Sequence, residues 1–211
     1  MPMDDTPVTV NPWTGLRQFT DARIALGRSG VSLPTAPQLA FQLAHAQARD
    51  AVHRGLDVAR LADGLAAAWP DAPPPCLLLH SAAADRSQYL QRPDLGRRLD
   101  TTSLEVLSQL YRPAFADARA QELPYDLALV VADGLSALAI EQNAAPFLYA
   151  LHQRMGGEGW RVAPLCIAQQ ARVAIGDGIG QALGAKAVVV LIGERPGLSS
   201  PDSMGLYLTW M

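Results

Sequence analysis

Apolar residues recur along residues 35–68 at steps of three and four, which is the spacing of a helix with one buried face. Phe41, Ala44, Ala48 and Val52 begin this series, and further apolar residues continue it. The pattern predicts one long helix over residues 35–68. The buried face is mostly alanine, so it suits close packing against a neighbouring element.

The rest of the chain alternates short apolar runs with amphipathic stretches. Alternation of this kind predicts an α/β fold with a doubly wound, mostly parallel sheet and right-handed crossovers. Proline-rich residues 1–37 precede the first helix and contain a short amphipathic piece at 15–26. Strands are predicted at 76–81, 126–132, 160–168, 187–192 and 206–210, and helices at 103–120 (kinked or split by Pro113), 137–155 and 177–183.

Composition narrows the functional classes. The 211 residues are 49% hydrophobic and 18% charged, with a net charge of −3, and the basic residues form no stripe. Nucleic acid is therefore not an expected partner. No window approaches the roughly 18 apolar residues of a membrane span, and the start of the chain lacks a secretory signal. We expect a cytoplasmic protein with no membrane partner.

Cysteine and histidine give no indication of a metal site. Cys76 and Cys166 both lie in apolar runs and are interpreted as reduced core thiols. His45 and His53 share a helix face, but Arg49 between them would repel a metal ion. The polar stripe containing these residues is interpreted as facing solvent or a partner subunit.

The strand at 187–192 runs into a polar loop, Gly193-Glu194-Arg195-Pro196-Gly197, followed by Ser199, Ser200, Pro201, Asp202 and Ser203. Ligands of open α/β sheets bind at the carboxyl ends of the strands. An adjacent carboxylate and guanidinium in a loop built from glycine and proline therefore indicate a binding site.

Two glycine turns are further candidates. Gly176-Asp177-Gly178-Ile179-Gly180 opens a helix after a strand, but its spacing departs from the dinucleotide fingerprint, so close helix–sheet packing is favoured over a nucleotide site. Asp133-Gly134 predicts a turn, with Ser136 capping the next helix. This turn would lie beside the Glu194 loop if the two preceding strands are neighbours.

A polar segment at 85–98 follows the first strand. A solvated loop is the favoured interpretation, and the alternative is a clamp for carboxylate or phosphate formed by Tyr89, Arg92, Arg97 and Arg98. No nucleophile elbow, Cys-x-x-Cys or His-Glu-x-x-His motif occurs. No catalytic residue is assigned, which points to a subunit that supplies binding more than chemistry.

Taken in order, six segments resemble the small (light) subunit of adenosylcobalamin-dependent ethanolamine ammonia-lyase. The resemblance covers the chain from about Asn11 onward, and six motifs in the correct order make it specific. The segments are DARIALGRSGVSLPT (21–35), FQLAHAQARDAVH (41–53), YLQRPDLGRRL (89–99), ADGLSA (132–137), RVAIGDGIGQALGAK (172–186) and LIGERPGLSSPDS (191–203).

The resemblance implies a lyase subunit that is silent alone, in a hetero-oligomer that converts ethanolamine to acetaldehyde and ammonia. It implies a Rossmann-like domain (71–211) after an N-terminal arm and helical region (1–70). Adenosylcobalamin would lie between this chain and the catalytic large subunit. By motif, Val173 and Glu194 match the family's cobalamin contacts. Residence in a bacterial microcompartment is less favoured than the cytoplasm.

Two further expectations concern the cofactor. None of the four histidines has an aspartate two positions earlier, so the chain lacks the Asp-x-His-x-x-Gly pattern of cobalamin proteins that replace the lower base. Cobalamin is therefore expected to keep its own base. Family members continue past the strand matching LYLTW to a cobalamin-contacting Cys within an Asn-Cys-Ile-Ser-Asn pattern, whereas this sequence stops at Met211, as a truncated product or a natural short variant.

The sequence leaves open two alternatives to a full light chain. One is an assembly module that packs on the large subunit and binds cobalamin weakly. The other is a free-standing Rossmann-type nucleotide binder.

Overall fold

A computed structural model describes residues 11–69, 73–114 and 124–211. The described chain forms an α/β structure around one five-stranded sheet. A short 3-10 segment, Pro12–Phe19, comes first. The helices are α1 (Thr35–His53), α2 (Val58–Ala67), α3 (Arg86–Gln91), α4 (Thr101–Ala114), α5 (Ala137–Met155) and α6 (Ile175–Leu183), and the strands are β1 (Cys76–His80), β2 (Tyr125–Ala132), β3 (Leu165–Gln169), β4 (Ala185–Gly193) and β5 (Met204–Trp210).

The strand order is β1-β3-β2-β4-β5. The first four strands are parallel, and β5 pairs with β4 in antiparallel register, with Tyr207 opposite Val190. This confirms the prediction of a mostly parallel α/β sheet. Among the described residues no helix is long and apolar enough to cross a lipid bilayer.

Each face of the sheet carries its own hydrophobic core, because successive residues of a strand point to opposite faces. On β2, Ala128 and Val130 pack toward α4 and α6, whereas Leu129 and Val131 pack toward α2 and α5. We call these the α6 face and the α5 face. Helices thus cover both faces, which explains why β2 is an unbroken apolar run instead of an alternating one.

The single helix predicted over 35–68 is wrong. The structure has α1 and α2, separated by residues 54–57. Gly55 lies in the break, and the carboxylate of Asp57 accepts a hydrogen bond from the amide of Arg60 at 3.0 Å, so it caps a new helix. Apolar periodicity continued through the break and hid it. Of the predicted buried face, Ala44 is buried and Phe41 is exposed.

Smaller corrections concern the strands and thiols. β3 starts at Leu165, five residues later than predicted, directly after Pro164. Cys166 is buried as predicted, but Cys76 is exposed because β1 is an edge strand. α4 continues through Pro113 to Ala114 without splitting there, and the rest of that predicted helix, from 115 to 120, lies outside the described residues.

Candidate functional site

The candidate site lies along the carboxyl edge of the parallel strands. After β2 the chain turns at Asp133-Gly134 and enters α5 on one face, whereas after β3 it turns at Gln170 and enters α6 on the other. Neighbouring strands whose connections leave on opposite faces open a crevice between them, and ligands of α/β sheets bind in such crevices.

A buried ion pair lies at this crevice. The carboxylate of Asp133 accepts hydrogen bonds from the amides of Gln170 (3.0 Å) and Ala171 (3.1 Å), and its Oδ2 lies 3.6 Å from a guanidinium nitrogen of Arg86. Burial raises the pKa of Asp133, and these three partners oppose that rise. The β2 turn is thereby tied to the β3 turn by one side chain.

Arg86 extends the network to α1. Its Nε donates to the carbonyl of Val52 and an Nη donates to the carbonyl of Gly134, both at 2.7 Å. The ring of Tyr89 is fully buried, and the guanidinium groups of Arg86 and Arg172 lie over it, at 4.8 and 4.4 Å from its centroid. Burial raises the pKa of Tyr89 to about 12, so the hydroxyl stays protonated and donates to the carbonyl of Ala171.

Two glycines let the β2 and β4 turns approach each other. Gly134 has φ +55°, and a side chain there would overlap the backbone of Gly193. A side chain at Gly193 would in turn overlap the carbonyl of Ser136. The predicted proximity of the Asp133-Gly134 turn and the Glu194 loop is confirmed, because β2 and β4 are neighbours.

Glu194 begins the loop that leaves β4. Its Oε1 accepts a hydrogen bond of 2.6 Å from the hydroxyl of Tyr207 on β5. Its carboxylate lies directly over Gly205, where any side chain would collide with it. Tyr207 pairs with Val190, a residue of the α6-face core, and paired residues share a face. The carboxylate of Glu194 therefore lies on the α6 face.

Val173 lies on the same face. It precedes α6 in the β3–α6 turn, is partly exposed, and packs against the α6-face core. The structure thus brings the two residues predicted by motif to one face of one sheet edge. Val173 offers an apolar surface and Glu194 a hydrogen-bond acceptor.

The loop at 194–203 is fixed from two sides. Ser136 donates from its hydroxyl to the carbonyl of Pro201 (2.8 Å) and accepts from the amide of Ala139 as the predicted helix cap. On the other side, Arg23 donates to the carbonyl of Leu198 (2.8 Å) and to the hydroxyl of Ser199 (3.1 Å). The positioning roles of Arg23 and Tyr207 were missed, because their partners lie 176 and 13 residues away in sequence.

Two other candidates have structural explanations. Gly176 and Gly180 lie directly against Val190 and Val188, so the glycine run permits close helix–sheet packing, as the favoured interpretation predicted. The four residues of the predicted anion clamp do not come together as a free group. Tyr89 is buried inside the network, while Arg92 and Arg98 pair with Asp94. Within the described ranges no cluster of three or more His, Cys, Asp or Glu side chains could hold a metal ion.

Known proteins are similar to nearly the whole of this sequence. Residues 10–211 match the family described as ethanolamine ammonia-lyase light chain (EutC). The chain is 57% identical to an ethanolamine ammonia-lyase small subunit of Ralstonia nicotianae over 98% of its own length and 73% of that protein's. It is 58% identical to one of Pseudomonas aeruginosa, over 95% and 69%, and 54% identical to one of Pseudomonas putida, over 97% and 71%. The predicted family is confirmed: this chain belongs to the ethanolamine ammonia-lyase light chain family.

Proposed function

We propose that this chain acts as the small subunit of an ethanolamine ammonia-lyase, contributing part of an adenosylcobalamin site and the interface to the catalytic large subunit. Membership of the family carries this proposal. The enzyme converts ethanolamine to acetaldehyde and ammonia, and the chain alone is catalytically silent.

The residues on the α6 face fit one side of a corrin. A corrin is a broad, largely apolar ring with primary amide arms, so it needs apolar contact and hydrogen-bond acceptors. Val173 supplies the contact. Glu194 has Oε1 occupied by Tyr207, and its Oε2 accepts no hydrogen bond from the part of the chain that the structure describes. A carboxylate oxygen can accept hydrogen bonds from amide N–H groups.

When bound, adenosylcobalamin supplies a radical through homolysis of its cobalt–carbon bond, and the protein supplies position and electrostatic field. In this chain, Tyr207 and Gly205 hold the carboxylate of Glu194 in one orientation. Arg23 and Ser136 hydrogen-bond the loop at 194–203 and so fix the backbone that carries Glu194. A hydrogen bond to a charged group contributes about 1.5–3 kcal/mol, so holding the Glu194 carboxylate in position is the main contribution proposed for this chain.

The interface to the large subunit is proposed at the N-terminal region. Trp13 (64%), Phe19 (77%), Leu39 (59%) and Leu43 (60%) expose most of their apolar side chains. Large apolar side chains are costly to leave in water, and exposed apolar surface of this kind is typical of protein interfaces. α1, which carries the last two residues, also reaches the carboxyl edge through Arg86, so docking there would place the partner beside Glu194.

The finer expectations belong to the same proposal. The sheet with helices on both faces supports a Rossmann-like domain over 71–211 with an N-terminal arm and helical region over 1–70. Cobalamin is proposed to keep its own base, since no histidine occurs in the replacing motif. A spectrum showing a protein histidine on cobalt would contradict that part alone.

Reconstitution tests the function. The large subunit is assayed for acetaldehyde with adenosylcobalamin, alone and with this chain. We expect activity only when both are present, and no gain from adding the chain would refute the proposal. Cobalamin titration of the complex then separates a full light chain from a mere assembly module, in which the complex forms but binds cobalamin no more tightly than the large subunit alone.

One variant localises the cofactor contact. Glu194→Gln keeps the size of the side chain and a carbonyl oxygen but removes the charge, so we expect cobalamin affinity of the complex to fall several-fold. Glu158→Gln is the matched control, because Glu158 lies in the turn after α5, toward the amino ends of the strands. Equal affinities of the two variants would remove Glu194 from the site. Thermal shift with nucleotides against cobalamin tests the nucleotide-binding alternative.

A further inference from the structure

A pocket of about 430 Å³ opens over the carboxyl edge of the sheet, between α1 and the turns after β2, β3 and β4. This is the crevice at which strand connections diverge, and the volume falls in the range of roughly 300–1,000 Å³ typical of small-molecule pockets. Its polar lining is cationic: Arg49, Arg172 and Arg195, with His45 beside them. Among the described residues that line it, none is acidic.

The charge of these guanidinium groups is only weakly compensated. Arg195 is exposed and makes no hydrogen bond or ion pair with the described part of the chain. Within the described ranges, the one ion pair of Arg49 is with Asp50, at 3.9 Å, and both side chains are about three-quarters exposed. Such a pair contributes little and leaves Arg49 available. The protein as a whole has a net charge of −3, so a pocket lined by three arginines is a region of locally positive electrostatic potential.

Arg172 lines this pocket, and its side chain is fixed in position. Its guanidinium stacks on the buried ring of Tyr89 and donates to the carbonyl of Tyr89 at 3.3 Å, while its Nε is buried and bonded to none of the described atoms. Arg49 and Arg195 by contrast are free to move. Guanidinium groups bind phosphate oxygens through paired N–H donors. The fixed Arg172 together with the mobile side chains of Arg49 and Arg195 can therefore surround a phosphate group.

We propose that this pocket is a binding site for a phosphate group. Two sources share that chemistry. One is the phosphodiester in the nucleotide arm of cobalamin, which rests on the proposed function, and the other is free phosphate or a small phosphorylated metabolite, which does not. The sequence neighbours of the pocket arginines support the first source, because Arg172 precedes Val173 and Arg195 follows Glu194. A corrin on the α6 face would then have its nucleotide arm within reach of the pocket.

The test uses the assembled complex with the large subunit and three probes: inorganic phosphate, cyanocobalamin, and dicyanocobinamide, which has the corrin but lacks the phosphodiester and base. The variant is Arg49→Gln with Arg195→Gln, since both side chains are exposed and neither supports the fold. The control is Arg60→Gln with Arg97→Gln, which changes the charge equally at two exposed arginines outside the pocket lining. Binding is measured by titration calorimetry at low and high salt.

We expect the variant to lose inorganic phosphate binding and to bind cyanocobalamin about tenfold more weakly, since hydrogen bonds to charged groups are the strong ones, while cobinamide affinity stays that of the control. This result supports the site with cobalamin as its source. Loss of phosphate binding with unchanged cyanocobalamin affinity supports the site with a free phosphate source. If phosphate binds variant and control equally, and cyanocobalamin is weakened no more by the variant than by the control, the proposal is overturned.

The two proposals fail separately. If the wild-type complex binds neither cobalamin nor cobinamide, the cobalamin proposal fails, yet the phosphate probe still decides the pocket. If cobalamin and cobinamide lose equal affinity in the variant and phosphate binding is unaffected, the arginines act on the corrin and the phosphate site is refuted.

Discussion

The two edges of the sheet each carry an aspartate held by basic side chains, but they do so in opposite surroundings. At the amino edge, Asp126 bonds Arg161 at 3.0 and 3.1 Å and Lys186 at 2.8 Å, with the basic side chains about 40% exposed. At the carboxyl edge, the side chain of Asp133 is 4% exposed and that of Arg86 14% exposed, and both bond backbone partners. Exposed pairs contribute little to stability, whereas breaking a buried one is costly.

This difference in burial matches a difference in role between the two edges of the sheet. The carboxyl edge brings three turns and α1 together through a few buried polar atoms and through glycines that allow backbones to touch. It therefore presents its outward residues, Val173 and Glu194, on a fixed support, as a binding site requires. At the amino edge the charged side chains connect the ends of strands, and no binding residue has to be held in a fixed position there.

The largest effect is expected from Gly134→Ala. The residue has φ +55°, and the added Cβ would overlap the backbone of Gly193, which cannot yield as a flexible side chain would. We expect a loss of about 3 kcal/mol or more in the free energy of unfolding, measured by urea denaturation. Gly178→Ala is the control, because its Cβ would meet open space within α6 and should be neutral or slightly stabilising. Equal losses in both would contradict the close turn contact.

Arg86→Met should rank second. It leaves Asp133 buried without its cation and releases the carbonyl of Val52, so we expect a loss of about 3 kcal/mol. Without the cation the pKa of Asp133 should rise further, so acidification should protonate the carboxyl and remove the uncompensated charge. The stability deficit of the variant should therefore shrink as pH falls, and a deficit that does not change with pH would show that the charge on Asp133 is not what the arginine compensates.

Ser136→Ala should cost about 1 kcal/mol through loss of the cap on α5. It also removes the bond to Pro201, so the loop at 194–203 should become more sensitive to limited proteolysis. Ser108→Ala is the matched control, because Ser108 lies on the exposed face of α4 and its hydroxyl donates to the carbonyl of Glu105 in the same helix. Unchanged cleavage of the loop in Ser136→Ala would mean that the hydroxyl does not anchor it.

The smallest effect is expected at the amino edge, from Asp126→Asn. Hydrogen bonds from Arg161 and Lys186 hold the pKa of Asp126 well below its usual range. A carboxyl with a depressed folded-state pKa stabilises the protein at neutral pH, and this contribution is lost as pH falls below the unfolded value of about 3.9. The stability difference between wild type and variant should therefore shrink on acidification and in high salt. A stability difference between wild type and variant that grew at low pH would show that the pKa of Asp126 is not lowered in the folded protein.

Apolar periodicity and capping residues predicted the elements whose bounds depend on residues close in sequence. α5 begins and ends where periodicity and the Ser136 cap predict, and β4 follows its β-branched run. The break between α1 and α2 was hidden because the apolar steps continue across it. The Arg86–Asp133 pair joins residues that lie 47 positions apart, and the exposure of Cys76 depends on strand order, so neither follows from local sequence.

The residues of the candidate site are indicated by other signals in the sequence. Turn chemistry indicated the polar loops, but Val173 and Glu194 came from motif resemblance, and the structure placed them on one face. The hydroxyl of Tyr207 and the open position at Gly205 appear only once β5 pairs with β4. The arginine pocket likewise depends on the fold, since it is lined by residues of α1 and of the three turns after β2, β3 and β4.

The most direct test is a structure of this chain with the large subunit and bound cyanocobalamin. We predict corrin density against Val173, with a corrin amide within hydrogen-bonding distance of the Glu194 carboxylate and Tyr207 still bonded to that carboxylate. A cofactor bound in the complex without contact to either Val173 or Glu194 would contradict the account.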